Sequence, residues 1–203
     1  MSRIVCLMGK SSSGKDTIYK NLLKCKDPIL HKVVPYTTRP IRAGEKEGVE
    51  YHFTDEAGYK SLKQQGRIIE ERSYETCYGL WRYFTVDDGS ICPDEADYLV
   101  IGTLDAYMSF RRYYGDDKVL PVLVELDDGD RLARALGRER KQEHPKYEEM
   151  CRRFLADAKD FSPEKLREAG NPQGFYNDDL NRCLTEIQKY LKYHLKSDDI
   201  QGA

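Results

Sequence analysis

An apolar run, Ile4-Val5-Cys6-Leu7-Met8, opens directly into Gly9-Lys10-Ser11-Ser12-Ser13-Gly14-Lys15. Five apolar residues without alternation predict a strand buried on both faces. Behind the glycines, Ile18, Leu22 and Leu23 recur at helical spacing, which predicts a helix from about Lys15 to Lys24. Strand, glycine loop and helix in this order predict an α/β fold with a mainly parallel sheet flanked by helices. Two later runs read as further buried strands, Tyr98-Leu99-Val100-Ile101 and Val119-Leu120-Pro121-Val122-Leu123-Val124. Pro121 cannot donate to a ladder, so it favours the start of its strand or a sheet edge.

The loop fits G-x-x-x-x-G-K, a pattern whose backbone N–H groups wrap a phosphate. The following helix adds its positive end, and Lys15 reaches the β- and γ-phosphates as a mobile charge. The residue after the lysine is normally Ser or Thr, whose hydroxyl holds Mg²⁺. Here it is Asp16, and the hydroxyl follows at Thr17. A carboxylate beside polyphosphate is repelled by about 4 kcal/mol at 4 Å unless a cation intervenes. Two readings stay open. Either Thr17 binds the metal while Asp16 points outward or holds a metal-bound water, or Asp16 only favours the first helical turn.

Residues 35–93 have a different texture, with short strands predicted at Glu50–Phe53, Arg67–Glu70 and Tyr83–Val86 and turn signals at Ala43-Gly44 and Asp88-Gly89. This predicts a small, mostly β insertion. Residues 130–160 are rich in charge and helix formers, and Pro145 divides them into two helices. Near the end, Leu180, Leu184, Ile187 and Leu191 stand at helical spacing, with Asn177 or Asp178 expected to cap that helix.

Within the insertion, Tyr36-Thr37-Thr38-Arg39-Pro40-Ile41-Arg42 places two arginines three apart among hydroxyls, with Tyr51 nearby. Guanidinium groups suit bidentate phosphate recognition, so this is a candidate second phosphate grip. Charge narrows the ligand class. The chain of 203 residues is 33% charged yet carries a formal net charge of only −2, without the basic excess of a nucleic-acid binder. No run of about 18 apolar residues predicts a membrane helix, and the N-terminus leads into the loop without the marks of a signal peptide. Six cysteines and four histidines are scattered without C-x-x-C or a zinc pattern, as expected of reduced thiols in a cytoplasmic protein.

The loop, the T-T-R-P-x-R-x-G-E…G-x-x-Y-x-F stretch from Thr37 to Phe53, and Tyr78-Gly79 occur here in one order. Arg134-x-x-x-Arg138, Arg152-Arg153 and Asn177-Asp178-Asp179-Leu180 continue it. In this the sequence resembles the guanylate kinase family over nearly its whole length. The resemblance implies an ATP- and Mg²⁺-dependent kinase that phosphorylates a nucleoside monophosphate, GMP or dGMP first among them. It implies a core of residues 1–34, 94–129 and 161–203, an acceptor-binding subdomain of residues 35–93 and a helical lid of residues 130–160. Gly9, Ser11, Ser12, Ser13, Gly14, Lys15, Asp16, Thr17 and Asn177 are then expected to hold ATP, with Thr17 and Asp16 at the metal. Thr37, Arg39, Arg42, Glu45, Tyr51, Glu70 and Tyr78 are expected to hold the acceptor, Glu70 at the base. Lys15, Arg39, Arg134, Arg138 and Arg153 are expected to carry catalysis. Arg134 and Arg138, four apart, share one helical face, where closure over the transferring group neutralises charge and excludes water. Nucleotides are the expected partners, with no nucleic-acid polymer and no membrane.

The chain departs from the family at acceptor positions. Leu80 and Trp81 follow Tyr78-Gly79 where a hydroxyl is usual, Pro35 replaces a serine, and Gly102-Thr103-Leu104-Asp105 stands where an aspartate pair is expected. Asp105 is the nearest substitute carboxylate, and Glu71 beside Glu70 is a second candidate acceptor for a base N–H. These departures keep two alternatives in view: a kinase acting on another acceptor such as a ribose bisphosphate, and a non-catalytic interaction module.

Overall fold

A computed structural model describes residues 3–76 and 79–196. Its centre is the strand β1 (Ile4–Met8), every residue of which is fully buried. Alternation along the strand splits these five side chains between two cores. Ile4, Cys6 and Met8 pack with Leu104, Tyr107 and Phe110, while Val5 and Leu7 pack with Ile18, Leu22, Cys183, Ile187 and Leu191. Burying each such aliphatic side chain stabilises the fold by about 1.5–3 kcal/mol, which is why the run lacks alternation.

The helices supplying those contacts are α1 (Lys15–Leu22), α3 (Leu104–Tyr114) and α7 (Leu180–Lys196). Around β1 the sheet adds β2 (His31–Lys32), β7 (Tyr98–Gly102), β8 (Val119–Glu125) and β9 (Gly174–Tyr176), in the order β2-β7-β1-β8-β9 with all pairings parallel. The expected parallel α/β sheet is therefore present. Loops at the carboxyl ends of such strands are where ligands of doubly wound sheets bind.

Pro121 corrects one expectation. It lies inside β8, opposite Cys6 of β1, and not at a strand start or sheet edge. Two residues on, Leu123 N–H donates to Gln173 O at the start of β9. By the two-residue alternation, the missing N–H of Pro121 faces the same side, upstream of where β9 begins pairing at Leu123. No ladder bond is lost there.

A second sheet, in the order β4-β3-β6-β5, comprises β3 (Tyr36–Thr37), β4 (His52–Phe53), β5 (Ile68–Thr76) and β6 (Gly79–Val86). Helix α2 (Glu56–Gln64) covers it through Tyr59 and Leu62 on Tyr36, Phe84, Val86 and Ile68. β4 is shorter than predicted and β5 longer, because only His52 and Phe53 pair with β3 while β5 and β6 form a long antiparallel ribbon. The ribbon's register shifts between Ile68 and Glu70. This bulge lets Ile69 enter the main core while its neighbour Glu70 also turns toward the main sheet.

The charged stretch forms α4 (Asp128–Glu139) and α5 (Tyr147–Asp160), followed by the short α6 (Pro163–Glu168). Asp127 caps α4 by accepting the Gly129 and Asp130 N–H groups. α5 buries no residue, so hydrophobic packing contributes little to holding it. The cap of α7 is another correction: Asp179 accepts the Arg182 N–H at 2.8 Å, in place of Asn177 or Asp178. Asp178 pairs with the Arg182 side chain, and Asn177 is committed elsewhere.

Candidate active site

The glycine loop leaves the carboxyl end of β1 and curls back onto α1. Gly9 approaches β8 so closely that a Cβ would stand 2.5 Å from the Val124 carbonyl oxygen. Gly14 precedes α1 in the left-handed region (φ 91°), and a Cβ there would collide with Asn177. Only glycine fits both demands. Ser12 is also left-handed (φ 62°), a local backbone cost, and the turn is closed by the Ser13 N–H donating to Lys10 O at 3.2 Å. The Ser12 and Ser13 hydroxyls are buried without a hydrogen-bond partner, as is Asn177 Oδ1. Asn177, itself buried, donates through Nδ2 to Ser13 O at 2.7 Å and so buttresses the loop. Lys15 is half-buried in the first turn of α1, and Asp16 and Thr17 are exposed beside it.

The predicted arginines behave differently from one another. Arg134 donates to Asn177 O at 3.1 Å, next to Gly14, and so lies against the loop. Arg138 is exposed on α4. Arg153 is exposed on α5 and pairs with Glu149 at 2.7 Å. With the Arg152 guanidinium first and Arg153 second, these partners hold the Glu149 carboxyl down at about 2.

A third arginine on α4 was not expected. Arg131 is 1% exposed, donates to Ser11 O at 3.0 Å, and pairs with Asp128 and Asp157. Its guanidinium also lies 4.9 Å from the Phe154 ring centroid. Lys10 reaches Asp128 at 3.2 Å. Sequence offers little signal for this cluster, since Arg131 and Asp157 meet only through the packing of α4 against α5.

On the second sheet, Arg39 is 3% exposed and forms a two-pronged pair with Glu45, at 2.7 and 2.5 Å. The Tyr51 ring centroid lies 4.9 Å from its guanidinium. Glu45 also accepts the Arg42 N–H at 2.9 Å. The Arg39 side chain holds the Glu45 carboxyl down at about 2. Arg42 stays exposed, its guanidinium 5.9 Å from the Trp81 ring centroid. Thr37 is fully buried, and its hydroxyl donates to Arg82 O while accepting the Arg39 N–H, so it shapes the turn that presents Arg39. Tyr78 lies outside the described residues.

Between the two sheets is a cavity of about 250 Å³. Tyr19 of α1, Val100 and Ile101 of β7, Pro35, Tyr51, and the charged Glu70 and Arg72 are among its walls. Burial pushes the Tyr19 phenol up to about 12. Glu70 is 6% exposed and accepts the Thr85 hydroxyl at 2.9 Å. Burial raises the Cys6 thiol well above its ordinary range, and the nearby Glu70 charge raises it further. Glu71 faces away, pairing with Lys63 and accepting the Tyr59 hydroxyl of α2, so it is no candidate for this cavity. Asp105 likewise does not replace the expected aspartates: it is exposed in the first turn of α3, 3.7 Å from Lys165 Nζ.

The family model described as guanylate kinase matches residues 1–82, which hold the glycine loop, the Arg39–Glu45 turn and Glu70. Over these residues the chain is similar to the guanylate kinase family. The guanylate kinase of Aromatoleum aromaticum is 39% identical over 67 residues, 33% of this chain and 32% of that one. That of Mycobacterium tuberculosis is 41% identical over 70 residues, 34% of this chain and 33% of its own. The chain thus spans about a third of the length of the curated relatives it matches. A crystal structure of guanylate kinase from Anaplasma phagocytophilum is similar in fold, with a TM-score of 0.57 at 20% identity, over 99% of this chain and 88% of that one.

For a chain similar to guanylate kinase over these residues, a nucleoside triphosphate and Mg²⁺ are the groups to test against the residues present. The left-handed turn at Ser12, the two orphaned serine hydroxyls and the close backbone approach at Gly9 and Gly14 suit a polyphosphate. Among the described residues no three His, Cys, Asp or Glu side chains cluster as a metal cage. Mg²⁺ needs none, because it keeps several waters and takes one or two protein oxygens beside phosphate. The exposed Thr17 hydroxyl and Asp16 carboxylate fit that sparse demand.

Proposed function

We propose that the protein is an ATP-dependent nucleoside monophosphate kinase whose acceptor is GMP or dGMP. One observation carries this reading: the cavity and the glycine loop share their supports. β7, whose end walls the cavity, is hydrogen-bonded to β1, whose end carries the loop. Tyr19, another wall, sits in the helix the loop opens. A donor phosphate in the loop and an acceptor in the cavity would therefore meet over the same sheet edge. Arg39, Arg42 and Tyr51 stand at the acceptor's phosphate, and Glu70 at its base.

Phosphoryl transfer asks little covalent help from a protein and much positioning and charge neutralisation. Lys15 and the loop N–H groups other than those of Ser11 and Ser13, which donate to Asp157 and Lys10 O, hold the donor phosphates. Arg134, already against the loop, Arg138 and Arg153 are the lid cations that approach when residues 130–160 close. Asp16 and Thr17 would hold Mg²⁺, which neutralises charge on the β- and γ-phosphates. Free thiols at all five described cysteines suit the reducing cytoplasm we assign to the enzyme. Among the described residues no helix is long and apolar enough to cross a membrane.

The test is a panel of acceptors with ATP and Mg²⁺, resolved by product chromatography. GMP and dGMP should yield diphosphates. Transfer only to a ribose bisphosphate, or ATP binding without transfer to any acceptor, would overturn the reading.

A further inference from the structure

Glu70 and Arg72 lie two residues apart on β5, hence on one face of the strand, and both wall the cavity. Glu70 Oε1 accepts the Thr85 hydroxyl. Glu70 Oε2 stands 3.3 Å from Arg72 Nε, yet the two are not aligned for a hydrogen bond, and both atoms are buried without a hydrogen-bond partner. The Glu70 side chain is only 4% exposed. The two residues are thus an ion pair in the wall of the cavity whose geometry leaves Nε and Oε2 without a hydrogen bond, while the Arg72 side chain keeps 31% of its surface exposed for a ligand to meet.

The charges decide what kind of ligand. Lys32 and Arg72 face Glu50 and Glu70 around the cavity, two of each sign. A second phosphate placed here would be repelled by Glu70 about as strongly as Arg72 attracts it. A neutral ring loses nothing on that account. The pair offers a guanidinium donor beside two carboxylate acceptors. Guanine presents the matching edge, a carbonyl acceptor at O6 followed by N–H donors at N1 and N2, whereas adenine has a donor at the six position. Pro35, also in the wall, has neither a side-chain hydroxyl nor an N–H to meet a carbonyl.

We infer that Arg72 is a specificity-determining residue of the acceptor cavity, donating to the six-position carbonyl of a guanine nucleotide while Glu70 takes the neighbouring N–H groups. This deepens the kinase reading proposed above and rests on it.

The test measures kcat and KM for GMP and AMP, with the KM for ATP, in the wild type, Arg72→Met and Arg72→Lys. Losing a hydrogen bond that a polar site is built to make costs discrimination steeply. Arg72→Met should lower kcat/KM for GMP by about ten- to a hundredfold, mainly through KM, while AMP changes less than about threefold and the KM for ATP holds. Arg72→Lys, which keeps the charge beside Glu70 without the planar fork, should fall between, and it carries the test if Arg72→Met does not fold. Equal losses for GMP and AMP would mark Arg72 as merely structural and overturn the inference, as would an unchanged KM for GMP in both variants. The wild type alone decides the underlying reading: if it phosphorylates no nucleoside monophosphate, kinase reading and inference fall together. If it phosphorylates GMP and the variants keep their preference, only the inference falls.

Discussion

One oxygen of Asp157, on the surface helix α5, accepts both the Ser11 N–H of the glycine loop at 2.8 Å and the Arg131 guanidinium at 2.9 Å. This couples the loop to α4 and α5 by polar contacts, since α5 buries no residue of its own.

Arg131→Met should destabilise the protein by about 3 kcal/mol, because it leaves Asp157 and Ser11 O without their buried cation. Asp157→Asn keeps an acceptor for Ser11 and should cost only about 1 kcal/mol. Urea unfolding midpoints of the two variants check the order, and a midpoint for Arg131→Met equal to wild type would remove the coupling from the stability account.

Asn177→Ala deprives the buried Ser13 carbonyl of its donor and should cost about 1–3 kcal/mol. Gly14→Ala should do more harm to ATP binding, since it strains a left-handed position and drives a Cβ into Asn177. Calorimetric titration with ATP separates the two, Gly14→Ala losing binding while Asn177→Ala retains a weakened signal.

Lys15→Met should leave the fold intact and lower kcat by about a thousandfold or more, the scale expected when a cation on the transferring group is lost. Circular dichroism with steady-state rates tests it. A residual rate within tenfold of wild type would take Lys15 out of the chemistry.

Glu45 supplies a pH prediction. Its folded pKa of about 2 lies below the ordinary 4.5, so its pairing with Arg39 contributes stability fully above about pH 4.5 and loses it as the pH falls toward 2. Glu45→Gln should flatten the acid limb of the stability curve within that window and leave the limb above pH 5 unchanged in shape. At neutral pH the same variant should raise the KM for GMP about tenfold by releasing Arg39 from its held orientation, with the KM for ATP unchanged. A KM for GMP that stays at the wild-type value would show that Arg39 needs no such support.

Asp16→Ala should raise the Mg²⁺ concentration for half-maximal rate by about tenfold, the usual effect of losing a group that orients metal-bound water. Glu186→Ala, exposed on α7, serves as the surface control. Superimposable Mg²⁺ titrations in the two variants would leave Asp16 as a first-turn helix residue only.

Much of the frame was legible because it is local. A continuous apolar run, glycines at the required spacing and helical periodicity all act within about twenty residues, so β1, the loop and α1 could be read directly. Arg39 and Glu45 sit six apart in one turn, and their pairing needs no distant element. Pro121 misled, since the cost of a proline in a strand depends on which flank is paired, and β9 lies about fifty residues further on.

The amino-acid order by itself determined a parallel α/β sheet, a phosphate-type loop and a cationic turn, through patterns whose partners are near neighbours in the chain. Only the tertiary structure decided that Asn177 buttresses Ser13, that Arg131 rather than a predicted arginine is buried between two carboxylates, and that Glu70 and Arg72 pair in the wall of one cavity. Those outcomes depend on burial and on angles between groups brought together from distant segments. Desolvation sets their energies, and desolvation exists only once the chain has packed.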